Sequence, residues 1–418
     1  MLKTYKFRLS PTKNQIDKLD QMLETCRILY NSCLVDRNRH YESTGKGLSY
    51  IAQAKILTGD KKRIEYLTNI HSQVLQDVLK RVEKAYNNFF RRVKEKKGKA
   101  GYPRFKPQNR YDSITYTQSG FEIIAGKLKL SKIGHIKIKQ HRQINGDIKT
   151  CAIKKEIDKW YVCFSVEYTP IPKPIPNKQI GIDVGIKSFA VLTGGKQIDN
   201  PKYLIKSEKR LIKKQRQLSS KVKGSNNRKK ARIAVATLHK KVSNQRRDFH
   251  HKVSREIVDN YNLIKVEDLR IKNMVKNHKL AKSISDASWG QFFFFLTYKA
   301  VEAGSRVERV DPRYTSMECH VCHNINYDLT LADRTWTCPS CHTVHDRDGN
   351  SAVIIDNKKP IRLICSRMFI KAKPLYPTKW PEFTLGETGS MDDPSYLTIA
   401  ALKSIPSLNQ EAPPERKG

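Results

Sequence analysis

The chain has 418 residues, enough for several domains with separate hydrophobic cores. Lys and Arg number 80 against 40 Asp and Glu, and the resulting formal net charge of +40 would repel itself in a compact protein unless a polyanion neutralised it. No apolar run approaches the ~20 residues of a membrane-spanning helix and none resembles a signal peptide, so we expect a nucleic-acid partner and no membrane.

The first hundred residues predict one short strand followed by helices. The first ten residues alternate apolar and polar side chains, and Thr12 and Gln15 have the spacing of a capping box at a helix start. A second long helix is predicted from Ser72 to Val93, where apolar residues recur every three to four positions. We therefore predict a helical domain over residues 11–97.

Residues 98–170 have the pattern of a β-rich domain. A basic, glycine-broken and aromatic segment, KEKKGKAGYPRFK, leads into it and suits a loop that touches a phosphate backbone. Short alternating runs separated by turn residues then predict an antiparallel sheet or small barrel, which the first ten residues are expected to join. The runs are Ser113–Tyr116, Phe121–Ile124, Lys127–Leu130, Ile136–Ile138, Ala152–Lys155 and Tyr161–Val166. A proline-spaced stretch, Pro170–Pro176, predicts an extended linker.

Three apolar segments carry carboxylates that could hold metal ions. Asp183 stands in the run QIGIDVGIK, and an edge-strand Asp that faces water is the alternative interpretation. Glu267 ends a second apolar strand, and Asp346 and Asp348 precede a helical apolar run. Magnesium prefers such hard oxygen ligands, and two ions about 4 Å apart can activate water and stabilise the leaving oxygen of a phosphodiester. In so basic a chain, the set predicts a metal-dependent nuclease.

Four of the nine cysteines form two CxxC pairs separated by 15 residues, the spacing of a tetrahedral zinc site. Four protein ligands close the coordination shell, so we expect one structural zinc ion; redox chemistry and buried free thiols are the alternatives. The ligands would be Cys319, Cys322, Cys338 and Cys341. The other cysteines are scattered without a disulfide framework, which indicates a reducing cytosol.

Between the first two carboxylates, residues 205–252 carry 17 Lys and Arg against only Glu208 and Asp248. Leu211 and Leu218 mark one helix, a turn follows at Gly224–Asn227, and a second apolar seam marks another helix. A merely solvated helical face would usually mix charge signs. We therefore predict an antiparallel helical pair, a basic insertion over residues 202–260, that contacts nucleic-acid backbones.

The sequence resembles TnpB, the RNA-guided nuclease family of insertion-sequence transposons, which is related to the type V CRISPR effectors. The resemblance extends over residues 1–355. Its signposts are GKGLSY (45–50), AYNNFF (85–90), GIDVGIK (181–187), VEDL (266–269), SISDASWG (283–290), the four cysteines and HDRDGNSA (345–352).

The resemblance implies an α/β multidomain fold with an RNase H-like (RuvC) nuclease core over residues 178–356, which contains a zinc knuckle at 316–343. A β-barrel wedge-like domain, residues 1–10 and 98–170, precedes the core and carries the helical recognition domain as an insertion. The tail, residues 357–418, holds eight of the 18 prolines with little periodicity and is predicted to be disordered.

The family's catalytic triad matches Asp183, Glu267 and Asp348, which implies two Mg²⁺ (or Mn²⁺) ions at the catalytic site. Asn350 follows Asp348 at the family's usual distance, which favours Asp348 over Asp346. One departure concerns the zinc knuckle: His323 and His342 replace the glycine that the family usually has after each cysteine pair, and either could strain the turn or compete as a ligand.

The implied activity is RNA-guided, divalent-metal-dependent cleavage of target DNA beside a short adjacent motif. Expected partners are a guide RNA, a double-stranded DNA target and the RNA–DNA hybrid, with one protein chain per RNA, in the nucleoid region of a prokaryotic cytosol. Two alternatives stay open: a non-catalytic RNA-guided DNA binder or repressor, and a transposase or resolvase-type nuclease that acts without RNA.

Two residues match positions that the family uses to contact the adjacent motif. They are Tyr50, in GKGLSY, and Gln76, near the start of the second long helix. Gln can pair bidentately with an adenine edge, and Tyr can contact a thymine methyl or a phosphate. The alternative is that Tyr50 packs in the core and Gln76 is a solvated helix residue.

Overall fold

The computed structural model describes residues 1–95, 100–108, 110–171, 176–330 and 332–363. Residues 362 and 363 are described by their backbone alone. These residues form two compact units, which divide between Tyr168 and Thr169. We call them the N-terminal unit and the C-terminal unit and describe each by itself. Most of the predicted linker (172–175) and of the predicted disordered tail (364–418, with Cys365) lies outside the described residues.

The N-terminal unit contains four helices and seven strands within its described residues. In chain order they are β1 (Leu2–Ser10), α1 (Lys13–Thr44), α2 (Tyr50–Arg63), α3 (Glu65–Thr68), α4 (Ser72–Lys94), β2 (Ser113–Tyr116), β3 (Phe121–Ile124), β4 (Lys127–Leu130), β5 (Gly134–Lys139), β6 (Asp147–Glu156) and β7 (Lys159–Glu167).

The capping box predicted at the first helix is present. Thr12 Oγ1 accepts a hydrogen bond from Gln15 N at 3.4 Å, and Gln15 Oε1 accepts one from Thr12 N at 3.0 Å. Gly45 ends α1 in the left-handed conformation with φ +68°, which a residue without Cβ adopts at little cost. Cys26 and Cys33 are buried in the core.

The seven strands form one antiparallel sheet in the order β2-β6-β7-β1-β5-β4-β3. As predicted, β1 joins this sheet, between β7 and β5. The predicted antiparallel sheet or small barrel is a half-barrel sheet, because within the described part of the chain the ladder does not close between β2 and β3. Instead of pairing with β3, β2 contacts α4, whose Arg81 donates to Ser113 O at 2.8 Å.

The C-terminal unit is built on a six-stranded sheet in the order β10-β9-β8-β11-β12-β15. Strands β8, β11 and β12 are parallel, whereas β9, β10 and β15 are antiparallel to their neighbours. In chain order its elements are β8 (Gln179–Asp183), β9 (Ser188–Leu192), β10 (Gln197–Asp199), α5 (Tyr203–Ser219), α6 (Asn226–Asn260), β11 (Leu263–Glu267), α7 (Ile271–Met274), α8 (His278–Ala287), α9 (Trp289–Ala303), β12 (Arg306–Val310), β13 (Thr335–Thr337), β14 (Val344–Asp346), α10 (Arg347–Asn357) and β15 (Pro360–Leu363).

The start predicted for the disordered tail is too early. Asn357 still belongs to α10, and Pro360–Leu363 pairs as β15 with β12. The ladder to β12 orders this segment, although its own sequence has little apolar periodicity. Over the whole described region, no helix combines the length and apolar character that crossing a bilayer needs.

Candidate active site

Asp183 and Glu267 lie at the carboxyl ends of two adjacent parallel strands. Asp183 ends β8 and Glu267 ends β11. The register pairs Ile182 with Val266, so the two acidic residues occupy the next position along the neighbouring strands, whose backbones are about 4.8 Å apart. Equal register also places both side chains on the same face of the sheet.

Helix α10 brings the third carboxylate to this place through a close contact with β8. A methyl group at Gly181 would lie 2.2 Å from Ala352 O and 2.6 Å from Asp356 N, so the strand backbone and the helix touch where only glycine fits. Thr193 Oγ1 strengthens the contact, since it accepts from Gly181 N (3.0 Å) and lies 3.1 Å from Ala352 O. Asp348 stands in the first turn of this helix.

The electrostatics of Asp183 show that the three acids interact. Burial, followed by the charges of Glu267 and Asp348, raises the pKa of Asp183 to about 8. Burial also raises the pKa of Glu267, which is 8% exposed, although a hydrogen bond from Thr315 opposes the rise. Like charges held together away from water are costly unless a cation neutralises them, so this arrangement suits a site for cations.

Asp346 and Asp348 have different surroundings. Asp346 is the N-cap of α10, and its Oδ2 accepts a hydrogen bond from Gly349 N at 2.8 Å. Its carboxylate is thus used to satisfy a helix terminus. Asp348 instead influences Asp183 and lies 3.7 Å from Arg334 Nη1. These contacts support Asp348 as the third acidic ligand.

Thr315 is a site residue that the sequence did not suggest. It is 3% exposed, and its Oγ1 donates a hydrogen bond to Glu267 Oε1 at 2.6 Å while lying 3.1 Å from Pro312 O. The contact spans 48 residues of sequence, so no local pattern could reveal it. Arg334, the cation beside Asp348, was missed for the same reason.

The four cysteines of the CxxC pairs form a compact set. Their sulfurs all lie within 4.8 Å of one another, the most compact group of candidate metal ligands in the part of the chain that the structure describes. Cys319 Sγ is 3.6 Å from Cys341 Sγ, and Cys322 Sγ is 3.5 Å from Cys338 Sγ. Two ligands at ~2.3 Å in a tetrahedron lie roughly 3.8 Å apart, so the set fits zinc.

The chemistry of the thiols also suits a metal. Hydrogen bonding to Thr343 lowers the pKa of Cys341 to about 6, and backbone hydrogen bonding around Cys341 lowers the pKa of Cys338. Burial raises the pKa of Cys319 to about 12. Both of these shifts are toward the thiolate form, which is the form that binds metal.

The two histidines that depart from the family pattern adopt the backbone conformation expected of glycine. His323 has φ +61° and His342 has φ +56°. Neither belongs to the compact set; both are exposed, and His323 Nδ1 lies 3.0 Å from Glu318 Oε1. The histidine that approaches the sulfurs is His345, which is 3% exposed and has its Nε2 3.1 Å from Cys319 Sγ.

Asn350 joins the cysteine knuckle to the helix that carries Asp348. Its Nδ2 donates to Glu318 O at 2.6 Å, and its Oδ1 accepts from His320 N at 3.0 Å. The side chain is 3% exposed, so these bonds are sheltered from water. Because both knuckle partners flank Cys319, the placement of the cysteines and that of the first turn of α10 depend on each other.

The basic insertion is an antiparallel pair formed by α5 and α6, as predicted. Its apolar residues Leu211, Leu238 and Val242 are buried, while the cationic side chains lie on the exposed faces. The four acids of the two helices are each paired: Glu208 with Lys282, Asp248 with Lys252, Glu256 with Lys196 and Asp259 with Arg255. Most of the Lys and Arg side chains on these two helices therefore have no acidic partner within the helical pair.

Asp286, in the SISDASWG stretch, anchors this pair to the rest of the unit. Its carboxylate accepts from Leu204 N at 3.0 Å, at the start of α5, and from Arg246 Nη2 at 2.8 Å, on α6. It is 6% exposed. One buried carboxylate thus holds both helices, which fixes the direction of their basic faces.

In the N-terminal unit, Tyr50 and Gln76 differ in exposure. Tyr50 begins α2 and is half-buried against the hydrophobic core. Gln76 lies on α4 with an exposed side chain, next to Asp77, which is 2% exposed. The side chain of Gln76 is therefore accessible to a ligand, whereas part of the Tyr50 side chain packs against the core.

Three family models match the chain. Residues 162–278 match one described as "Probable transposase", residues 289–355 match "Cas12f1-like, TNB domain", and residues 1–46 match "Helix-turn-helix domain". In this structure residues 1–46 contain β1 and the single long helix α1.

Relatives of known description cover nearly the whole chain. A protein of Streptomyces pristinaespiralis described as "Putative RNA-guided DNA endonuclease" is 35% identical over 84% of this chain and 87% of its own length. The InsQ protein of Escherichia coli K12, with the same description, is 30% identical over 90% and 96%. A solved Cas12f1–sgRNA–target DNA complex contains a chain of similar fold, with a TM-score of 0.54, 13% identity and coverage of 85% and 99%. The chain belongs to the TnpB family, the RNA-guided nuclease family of insertion-sequence transposons.

Proposed function

We propose that this chain is an RNA-guided DNA endonuclease that cleaves target DNA beside a short adjacent motif by divalent-metal-dependent hydrolysis of phosphodiester bonds. The observation that carries the proposal is the placement of Asp183 and Glu267 at the ends of adjacent parallel strands, beside the helix that has Asp348 in its first turn. Burial, followed by the charges of Glu267 and Asp348, raises the pKa of Asp183. Relatives at 35% and 30% identity are described as RNA-guided DNA endonucleases.

The C-terminal sheet supports an RNase H-like (RuvC) core. Three antiparallel strands, β8 to β10, are extended on the other side of β8 by the parallel strands β11 and β12. In such a sheet, functional groups gather at the carboxyl ends of neighbouring parallel strands. Asp183 and Glu267 occupy this position.

The donor set fits magnesium or manganese, since all three groups are carboxylates and two of them are held in a partly dry site. Asp183, Glu267 and Asp348 would hold two ions. Bound there, the ions supply positive charge that activates water and stabilises the leaving oxygen of the phosphodiester.

The protein's own contribution is to hold these ligands in place. Thr315 holds one oxygen of Glu267, Oε1, through a hydrogen bond of 2.6 Å. Asp346 caps α10, so that Asp348 projects from an ordered first turn. Arg334, half-exposed beside Asp348, is placed to approach a phosphate of the bound strand.

The knuckle would hold one zinc ion through Cys319, Cys322, Cys338 and Cys341. The closed ligand shell assigns it a structural role. The ion would also stabilise the position of Asp348, because Asn350 hydrogen-bonds the turn at Cys319 to the helix that contains Asp348.

The partners follow from charge and family. A guide RNA, the target duplex and the RNA–DNA hybrid would lie along the basic faces of α5 and α6, where cations gain affinity by releasing counterions from phosphates. One protein chain per RNA is the stoichiometry we propose.

The proposed function is tested with the full-length chain expressed beside its own transposon ends. Sequencing the RNA that co-purifies should return one short species, and changing its target-matching segment should redirect cleavage to a new DNA site. RNA retained without any cleavage would establish the non-catalytic binder instead. Cleavage that proceeds after removal of RNA would establish the resolvase-type alternative.

We further propose that Gln76, assisted by Tyr50, contacts the adjacent motif. Gln76→Ala should reduce discrimination among motifs by ~1–3 kcal/mol for each lost base contact, as measured by depletion from a randomised target library. The matched control is Lys213→Gln on α5, an exposed cation that should weaken binding to all sequences alike. If Gln76→Ala shows the same preference and depth of depletion as the unchanged protein, the residue has no part in reading the motif.

A further inference from the structure

The N-terminal unit contains an open cleft of about 530 Å³ between α1, α4 and the segment 101–107. The segment forms one wall, and Tyr30 of α1 and Asn88 of α4 contribute to the others. This volume falls in the ~300–1,000 Å³ range of ligand sites. The cleft is therefore large enough to hold a group of small-molecule size.

The wall of the cleft is fastened by specific hydrogen bonds. Asn31 Oδ1 accepts from Lys106 N at 2.8 Å, and Asn31 Nδ2 donates to Lys106 O at 3.0 Å. Tyr102 Oη donates to Asn38 Oδ1 at 2.7 Å and lies 2.9 Å from Tyr86 Oη. Two contacts separated by four residues hold the segment against both helices, so the shape of the cleft exists before any ligand arrives.

Four cations line this cleft: Arg92, Arg104, Lys106 and Arg110. Among the residues with described positions, no carboxylate lines it and none of the four forms an ion pair. Other arginines of the same unit do have such partners; Arg37, for example, lies 2.6 Å from Glu83. Four uncompensated cations repel one another, and a bound anion would remove that cost.

Two aromatic rings stand beside the cations. Tyr102 is 47% exposed and Phe105 is 56% exposed, although Phe is usually a core residue. Tyr102 is held by its hydroxyl, so its ring is fixed at the cleft. Aromatic faces next to guanidinium groups are the combination that binds unpaired nucleotides, by stacking on the base and pairing with the phosphate.

We propose that this cleft binds an unpaired nucleotide of the RNA, with its phosphate against Arg104 and Arg110 and its base against Phe105. The inference rests on the proposed function, in which the protein keeps a guide RNA bound before, during and after cleavage of the DNA. It adds a defined site for that strand in the N-terminal unit.

The first experiment identifies the strand. The full-length chain, purified with its RNA and bound to target DNA, is irradiated with ultraviolet light, and the cross-linked peptides are identified by mass spectrometry. We expect a ribonucleotide attached to the peptide that contains Tyr102 and Phe105. A deoxynucleotide on that peptide, or cross-links confined to other peptides, would overturn the proposal. Absence of any RNA from the purified protein would refute the proposed function itself.

The second experiment measures the contribution of the cleft. Phe105→Ala should weaken RNA binding roughly 5- to 150-fold, the loss expected for one stacked base. The double variant Arg104→Gln/Arg110→Gln should flatten the slope of log affinity against log salt by ~1.4, because each lost phosphate contact on a single strand removes about 0.7.

The control pair is Lys127→Gln/Lys137→Gln, which removes the same charge from exposed positions on β4 and β5. It should leave the salt slope unchanged. If the control flattens the slope as much as the cleft pair does, or if Phe105→Ala binds RNA as the unchanged chain does, the cleft is not a nucleotide site.

Discussion

Asp183→Asn is expected to lower the rate of guided DNA cleavage by about 10³-fold or more. The variant should still retain RNA and bind its target. The substitution keeps the size of the side chain and removes one charged metal ligand. Several kcal/mol of transition-state stabilisation depend on the bound ions, and each 1.36 kcal/mol is a factor of about ten in rate. The measurement is single-turnover cleavage of a labelled target, with target binding followed separately.

Glu267→Gln and Asp348→Asn should behave in the same way, and chelation of divalent ions should reproduce all three. The matched control is Asp346→Asn. Asparagine caps a helix about as well as aspartate, so this variant keeps the hydrogen bond to Gly349 N and should cleave at nearly the normal rate. The reverse ranking of Asp346 and Asp348 would show that the third ligand is Asp346. Cleavage by Asp183→Asn at the normal rate would refute the proposed mechanism.

The parts of the fold that local sequence determines were predictable. The capping box of Thr12 and Gln15 is satisfied within four residues of chain, so its spacing alone predicts the start of α1. Strands β2, β3 and β4 were predicted with the bounds that the structure has, because each is a short alternating run between turn residues.

The parts that depend on distant partners were not predictable. Whether seven strands close into a barrel depends on β2, which α4 contacts from 19 or more residues away in sequence. Strand β15 forms because it pairs with β12. Its own four residues do not by themselves predict a strand.

The candidate site divides in the same way. Each carboxylate could be singled out because it lies within, at the end of or just before an apolar run, but the groups that orient the carboxylates could not. Thr315 and Asn350 make their contacts across 48 and about 30 residues of sequence. The positive φ at His323 and His342 was foreseeable, because both replace a glycine that the family usually has after each cysteine pair. That His345 approaches Cys319 was not, since β13 and β14 must pair first.

Cys338→Ser is expected to lose the zinc ion and to destabilise the C-terminal unit. The unchanged chain should contain about one zinc per molecule by elemental analysis, and the variant close to none. Binding to structural zinc sites contributes apparent free energies of roughly 10–16 kcal/mol at neutral pH, which become folding free energy. The matched control is Cys163→Ser, which replaces a half-buried thiol of β7 and should leave the zinc content unchanged.

If Cys338→Ser proves insoluble, removal of zinc from the unchanged chain with a chelator selective for zinc over magnesium provides the same comparison in the folded protein. Cleavage should fall and should recover when zinc is restored, because Asn350 links the turn at Cys319 to the helix of Asp348. His323→Gly should retain zinc, since glycine accepts φ +61° with less strain than histidine does. Loss of zinc in His323→Gly would make that histidine a ligand, and full cleavage activity in protein without zinc would separate the knuckle from the active site.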